Sequence, residues 1–369
     1  MRAISLFSGA GGLDVGFIDA GVDVVIASEL NEDACNTYEA NHPDTTLIRG
    51  DIRENKVLLA PYRNQIDIVF GGPPCQGFSV AGKMNPDDER SKLVWEYVDV
   101  VRMTNPRAFV MENVKALAKL SKWDSIRKKY LSTMDGLGYD VRYLVLNSKD
   151  YGVPQKRERV FFVGVKRGYN YPIWNLNNII ESKTEQAPTI RDVLCSLPPI
   201  GSDGNPDTCK AKITLALNPI LRKSPYAGMY FNGMGRPIDL DGYANTLPAS
   251  MGGNKTPIVD EEYLRNRDSG NWVSDYHDKL ISGSIQPAFE EAPARLRRLS
   301  ITEAAAIQTF PNGYVFKGSK SSIYTQIGNA VPCKLARAVA EAVVSILNYD
   351  SSAIVPARGG FMIKSIEEY

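Results

Sequence analysis

Histidine is nearly missing from this chain: among 369 residues only His42 and His277 occur. Two are too few for the Cys/His clusters that usually hold zinc, so no metal site is expected. A Ser-His-Asp or Cys-His enzyme would need one of the two in place. His42 sits in a turn-like Asn-His-Pro-Asp and His277 in a Trp/Tyr-flanked segment, so both read as bystanders. Proton chemistry then falls to carboxylates, cysteine or water. Disulfide patterning is missing too. The five cysteines are odd in number and form no C-x-x-C pair, as in an intracellular protein with reduced thiols. No apolar run approaches the ~20 residues of a membrane span. Residues 1–12 contain no leader-like apolar stretch, so a cytoplasmic protein without membrane contact (nucleoid-associated in a bacterium) is the expectation. A basic field is also absent. The net charge is +1, and residues 168–294 carry 11 Lys+Arg against 15 Asp+Glu. Contacts to phosphate would have to come from local clusters.

With 43% hydrophobic and 23% charged residues the composition is globular, and a chain of this length can bury a sizeable core. Up to residue 167, short β-branched runs alternate with amphipathic stretches. The runs at 4–8, 22–29, 46–50, 66–71, 108–112, 141–147 and 159–165 read as strands, and 12–20, 31–41, 90–104 and 122–135 as helices. Strands apolar without strict alternation are buried on both faces. The alternation predicts an α/β fold, a doubly wound and mostly parallel sheet. Residues 168–294 are rich in Pro, Gly, Asn and Asp, which predicts a smaller, loop-rich, mixed or mostly β domain. Helical order returns at 295, and 334–347 is apolar on more than one face, as in a helix packed onto the first domain. The expected division is therefore 1–167 plus 295–347, with 168–294 as a second domain and 348–369 as a tail of no assigned role.

The turn after the first strand reads Phe7-Ser8-Gly9-Ala10-Gly11-Gly12-Leu13-Asp14. Glycines at a helix N-terminus let backbone approach a ligand. A dinucleotide fingerprint needs a third glycine where Asp14 stands, which argues against NAD or FAD. A tight turn with no ligand explains the loop equally well. Glu29 ends the second strand, where a carboxylate accepts from ribose hydroxyls; Asp51, beside Ile52, ends the third, where it could accept from an adenine amino group. Singly, each is more often a solvated charge or a helix cap. Together, three ligand-type features lie on the edge where open α/β sheets bind ligands.

Gly71-Gly72-Pro73-Pro74-Cys75-Gln76-Gly77-Phe78-Ser79 is the sharpest signal. Gly-Gly-Pro-Pro stops a strand and stiffens the backbone, presenting Cys75 at the sheet edge. A cysteine so placed is a candidate nucleophile, although a small buried hydrophobe is the commoner fate of a free cysteine. The polar segment 79–92 suits a mobile lid or an ordinary surface loop. Glu112, in Glu112-Asn113-Val114, points into the same crevice and can share a proton with a ring nitrogen. Gln155-Lys156-Arg157-Glu158-Arg159 offers guanidinium forks to a pyrimidine carbonyl or to phosphates. Alone it would pass for a solvated basic run.

In order, FSGAGGL, Glu29, GDI, GGPPCQGFS, ENV and QKRERV, then RRLSITEAAAIQTFP (297–311) and QIGNAVP (326–332), resemble the DNA (cytosine-5) methyltransferases nearly end to end. The resemblance implies a methyl transfer from S-adenosylmethionine to carbon 5 of a cytosine in a specific duplex DNA sequence, with no metal. Cys75 would add to carbon 6, Glu112 would bond ring nitrogen 3, and Arg159 with Arg157 would hold the base carbonyl and nearby backbone. Phe7, Gly9, Gly11, Gly12, Leu13, Glu29, Asp51, Ile52, Pro74, Asn329 and Val331 would line the cofactor. Gln76, Ser79, Thr246, Leu247, Asn254 and Lys255 would meet DNA, the last four in the family's variable recognition region. The base would be rotated out of the stack. A cognate restriction endonuclease is implied as a genetic partner only, and a monomer is the default. Three other readings stand beside this one. A transfer-RNA cytosine-5 methyltransferase would use the same Cys/Glu/Arg set. An inactive DNA-binding regulator would have lost Cys75 or Glu112, and a nicotinamide oxidoreductase is disfavoured by the glycine spacing.

Overall fold

A computed structural model describes residues 1–74, 92–206 and 209–349 of the chain. Its central sheet is built from β1 (Arg2–Leu6), β2 (Asp23–Glu29), β3 (Thr46–Arg49), β4 (Ile68–Gly71), β5 (Ala108–Val114) and β6 (Tyr139–Asn147). A two-residue strand β7 (Gln155–Lys156) then leads into β8 (Glu158–Lys166), which completes the sheet. The strand order is β3-β2-β1-β4-β5-β8-β6. All neighbours are parallel except β8, which runs antiparallel between β5 and β6. Strand order reverses between β1 and β4, so their C-terminal ends open a crevice of the kind in which such sheets bind ligands.

Both faces of the sheet are apolar, as period-2 placement shows. On β5, Ala108 and Val110 join one core cluster while Phe109 and Met111 join the other. On β8, Phe161, Val163 and Val165 face the first cluster and Val160 and Phe162 the second. The helices of this half are α1 (Gly12–Asp19), α2 (Glu32–Asn41), α3 (Ile52–Asn55), α4 (Leu93–Thr104), α5 (Lys115–Lys119) and α6 (Asp124–Gly136). Side chains from α4 and α6 fill the second cluster. The first is filled by α1, by α7 (Leu176–Glu181) and by the last described helix, Cys333–Leu347. That last helix buries ten side chains and packs so closely on α1 that a Cβ at Gly16 would lie 2.5 Å from the Ala336 Cβ.

Residues 168–294 contain more helix than strand. After α7 come α8 (Ile190–Ser196), α9 (Glu261–Arg265) and α10 (Trp272–Ile281). Against them stand the hairpin of β9 (Leu215–Ile220) and β10 (Met229–Phe231) and two short strands, β11 (Ala244–Asn245) and β12 (Ile258–Asp260). The region is thus mixed rather than mostly β. The short helices begin at Asx or Thr caps, as at Thr189, Asp260 and Asn271, and are too brief to show helical periodicity in sequence. β12 pairs antiparallel with β13 (Leu296–Arg298) and β11 pairs parallel with β7, tying the region to both flanks. A third core cluster combines Ile190, Leu194 and Leu247 with Leu299, Ile307 and Ile327. Ile307 lies on α11 (Ile301–Ile307) and Ile327 on α12 (Lys320–Asn329), which precede α13 (Cys333–Leu347). Among the described residues no helix is long and apolar enough to cross a membrane.

Candidate active site

The first strand ends in backbone that few side chains tolerate. Phe7, Gly9 and Gly11 all have positive φ, at 54°, 56° and 84°, which turns the chain sharply into α1. Glu29 holds this turn. One carboxylate oxygen accepts from Gly9 N at 2.8 Å and the other from Asn31 N at 2.7 Å. Each oxygen keeps a further lone pair for a ligand hydroxyl. A Cβ at Gly9 would meet no heavy atom within 4 Å, so the loop leaves open space above it.

Behind the loop there is no space at all. A Cβ at Gly11 would lie 2.5 Å from His42 Nε2 and 2.7 Å from Tyr314 Oη, and one at Gly12 would lie 2.6 Å from the Val331 carbonyl. The structure therefore brings Gly12 and Val331 together from opposite ends of the chain. His42, dismissed on sequence as a bystander, is part of this backing. Burial pushes its pKa down to about 4, so it is neutral. Tyr314 donates its hydroxyl hydrogen to Ala10 O, which leaves His42 Nε2 to donate to the Tyr314 oxygen at 3.0 Å.

Other expected cofactor residues are placed less simply. Ile52 is buried in the second core cluster, and Phe7 packs against that cluster. Asp51 caps α3 through Arg53 N and pairs with the Arg53 guanidinium, which holds its carboxyl below the usual range. Leu13 points into the first core cluster, so only its backbone is free to face a ligand.

At the next strand end, the turn of Gly72, Pro73 and Pro74 lies against the end of β5. Asn113 Nδ2 donates to Pro73 O at 3.2 Å, and a Cβ at Gly72 would sit 2.9 Å from Glu112 Oε2. Glu112 is 9% exposed and pairs with Arg159 Nε at 3.0 Å across the β5–β8 register. Burial raises the Glu112 pKa, against the pull of Arg159 and Arg157. Such a carboxyl takes up a proton more readily than an exposed one. Cys75, Gln76 and Ser79, with the rest of the expected lid to residue 91, lie outside the described residues.

Arg157 is close enough for its charge to act on Glu112, but it is not an exposed fork. It is 2% exposed, and its guanidinium donates to Leu247 O at 3.4 Å and Asn329 O at 3.3 Å. It joins the expected recognition pair to the expected cofactor segment. Thr246 and Leu247 dock on β7, where Thr246 Oγ1 donates to Lys156 O at 2.9 Å and Leu247 N to Gln155 Oε1 at 2.9 Å. Leu247 is itself buried, whereas Asn254 and Lys255 are exposed at a loop tip. The loop is anchored by Arg298, which donates to Asn254 O and Thr256 O at 3.0 and 2.8 Å. Sequence reasoning missed His42, Tyr314, Gln155, Gln308 and Arg298. Their partners are backbone atoms or side chains remote in sequence; Gln155, Arg298 and Gln308 stood in motifs that drew notice, but not for these contacts.

Comparison with known proteins identifies the family of the chain. Residues 1–345 match the family described as C-5 cytosine-specific DNA methylase. The chain is 34% identical over 353 residues to the Type II methyltransferase M1.HphI of Haemophilus parahaemolyticus, covering 93% of this chain and 86% of that one. It is 32% identical over 358 residues to the Type II methyltransferase M.NgoPII of Neisseria gonorrhoeae, covering 94% and 96%. Its fold resembles a structure described as a DNA modification methyltransferase encoded within an Escherichia coli prophage. There the TM-score is 0.67 at 23% identity, covering 95% of this chain and 100% of that one. By these matches the chain belongs to the C-5 cytosine-specific DNA methylase family and is an enzyme of that family.

Proposed function

We propose that the protein transfers a methyl group from S-adenosylmethionine to carbon 5 of a cytosine turned out of a specific duplex DNA sequence, through a covalent bond from Cys75. The observation that carries the reading is the Glu112–Arg159 pair at 3.0 Å, set against Gly72 in the turn that leads into Cys75. Bound S-adenosylmethionine supplies a methyl group on a positively charged sulfur. The residues present fit it. The Glu29 lone pairs suit ribose hydroxyls, the space above Gly9 suits a ligand, and Val331 closes the loop from behind.

Cytosine carbon 5 is a poor nucleophile. Addition of the Cys75 thiolate to carbon 6 pushes an electron pair toward carbon 5, which then takes the methyl group. Glu112, its carboxyl made easier to protonate by burial, bonds ring nitrogen 3 and takes up the charge that develops there. Arg159 orients that carboxyl and faces the base carbonyl. A base, water in the simplest case, then removes the carbon 5 proton, the carbon 6–sulfur bond breaks and its electron pair returns to the thiolate. Arg157, buried between Leu247 and Asn329, positions rather than touches the base. Asn254 and Lys255 are free to meet DNA, where a good base contact contributes ~1–3 kcal/mol. Residues 1–167 and 295–347 act as the catalytic domain and 168–294 as the recognition domain of a monomer, with a cognate endonuclease as genetic partner.

Bisulfite sequencing of DNA from cells expressing the protein tests this directly and gives the target. Protected cytosines in one fixed context support it, and uniform conversion would count against it. Methyl incorporation into transfer RNA but not DNA would transfer the chemistry to another substrate. Cys75→Ser should abolish covalent trapping on DNA carrying 5-fluorocytosine.

A further inference from the structure

The segment 246–249 lies between two elements it is not joined to in sequence. On one side is β7, through the Leu247 and Thr246 bonds. On the other is the end of α12, where a Cβ at Gly328 would lie 2.5 Å from Pro248 O. Gln155, fully buried, continues from Leu247 inward: its Nε2 donates to Gln308 Oε1 at 2.9 Å. Gln308, also fully buried, donates in turn to Ile327 O at 2.6 Å and Ala330 O at 3.3 Å. Ala330 and Val331 then press on Gly12 of the glycine loop. Both amides have their orientation fixed by backbone, a donor at the Leu247 end and acceptors at the Ala330 end, so the chain has one hydrogen-bonding sense. Arg157 runs beside it from Leu247 O to Asn329 O.

We infer that Gln155 and Gln308 are positioning residues that couple duplex binding at the 246–255 loop to occupancy of the cofactor loop. The inference rests on the proposed function for what each end binds. Two buried side-chain amides bonded end to end form a stiff link, because moving Leu247 breaks its bond to Gln155 Oε1 in the protein interior. DNA that fixes the 246–249 segment therefore fixes residues 327–331, and with them the back wall of Gly12. A bound cofactor acts in the reverse direction, since coupling between two sites is reciprocal.

The test is the ratio of S-adenosylhomocysteine dissociation constants without and with saturating duplex carrying the context that bisulfite sequencing reveals, measured by calorimetry. Wild type should show a coupling of roughly 5- to 150-fold. Gln155→Met and Gln308→Met, nearly isosteric, should bring the ratio to within about twofold of one. A merely structural role would lower the folded fraction or both affinities without moving the ratio. Unchanged ratios in folded variants would overturn the inference, as would a wild-type ratio of one. Should Gln155→Met bind no duplex, Gln308→Met decides alone, since it leaves the Leu247–Gln155 bond in place. Wild type that binds neither ligand would instead sink the functional reading.

Discussion

Glu112 and Arg159 meet diagonally across two antiparallel strands, one carboxylate oxygen 3.0 Å from the guanidinium Nε. The pair is nearly dry, and burial outweighs the arginine's pull on the carboxyl. Its direction matters for the chemistry, because a carboxyl with a raised pKa holds a proton at pH values where an exposed one has lost it.

Glu112→Gln should therefore lower single-turnover methyl transfer by about 10²- to 10⁴-fold, the usual scale for losing a positioned acid. Binding of S-adenosylhomocysteine should stay close to wild type, since Glu29 and the glycine loop are untouched. Rapid-quench incorporation of labelled methyl, with calorimetry alongside, separates the two. A variant with full turnover would remove Glu112 from the proposed mechanism.

Gly11→Ala strains the cofactor loop twice over. Its φ of 84° is left-handed, costing an L residue ~1–2 kcal/mol, and the new Cβ would meet His42 Nε2 at 2.5 Å. Affinity for S-adenosylhomocysteine should fall at least about tenfold. Adding His42→Ala should restore part of it by removing the clash. If Gly11→Ala binds normally in calorimetry, the loop is not the cofactor's cradle.

Asp14, fully buried at the start of α1, accepts from Tyr38 Oη at 2.8 Å on one oxygen, while Oδ2 has no hydrogen-bond partner among the described residues. Burial lifts its pKa from 3.8 to about 7. The folded protein thus binds this proton more tightly than the unfolded chain. That contribution is fully present below about pH 4 and is lost as pH rises to about 7. Relative to wild type, Asp14→Asn should gain stability across that window, by on the order of 4 kcal/mol at pH 8. Urea unfolding of both proteins at pH 5 and pH 8 measures it. Parallel pH profiles would show that Asp14 is not the responsible group.

Arg298 is 2% exposed and donates to four carbonyls, those of Ala211, Lys212, Asn254 and Thr256. Arg298→Met keeps much of the volume but leaves these acceptors unmatched. The expected loss is at least about 3 kcal/mol in thermal unfolding, with weaker duplex binding through the freed 254–256 loop. Wild-type stability would mean that water or a neighbour replaces the guanidinium at little cost.

How much of this was legible in the residues differs from element to element. The strands at 108–114 and 158–166 announce themselves because both their faces are apolar, and a strand buried on two sides needs no alternation. Glu29, Glu112 and the turn at 71–74 could be placed at one edge because strand ends in an open sheet share that edge by topology. The helices at 190–196, 261–265 and 272–281 were not legible, since five to ten residues leave too little periodicity and their caps resemble ordinary turns.

Local pattern by itself determined the α/β class, the sheet edge where the candidate residues gather and the candidates Cys75, Glu112 and Glu29 themselves, because strand burial and turn stiffness are set by neighbours in the chain. Tertiary structure decided which charged and polar side chains are spent inside. It buried Arg157 between Leu247 and Asn329, joined Gln155 to Gln308, and put His42 behind Gly11. Those pairings span tens to hundreds of positions, and a buried polar group takes whichever partner the fold delivers to it, which no local pattern records.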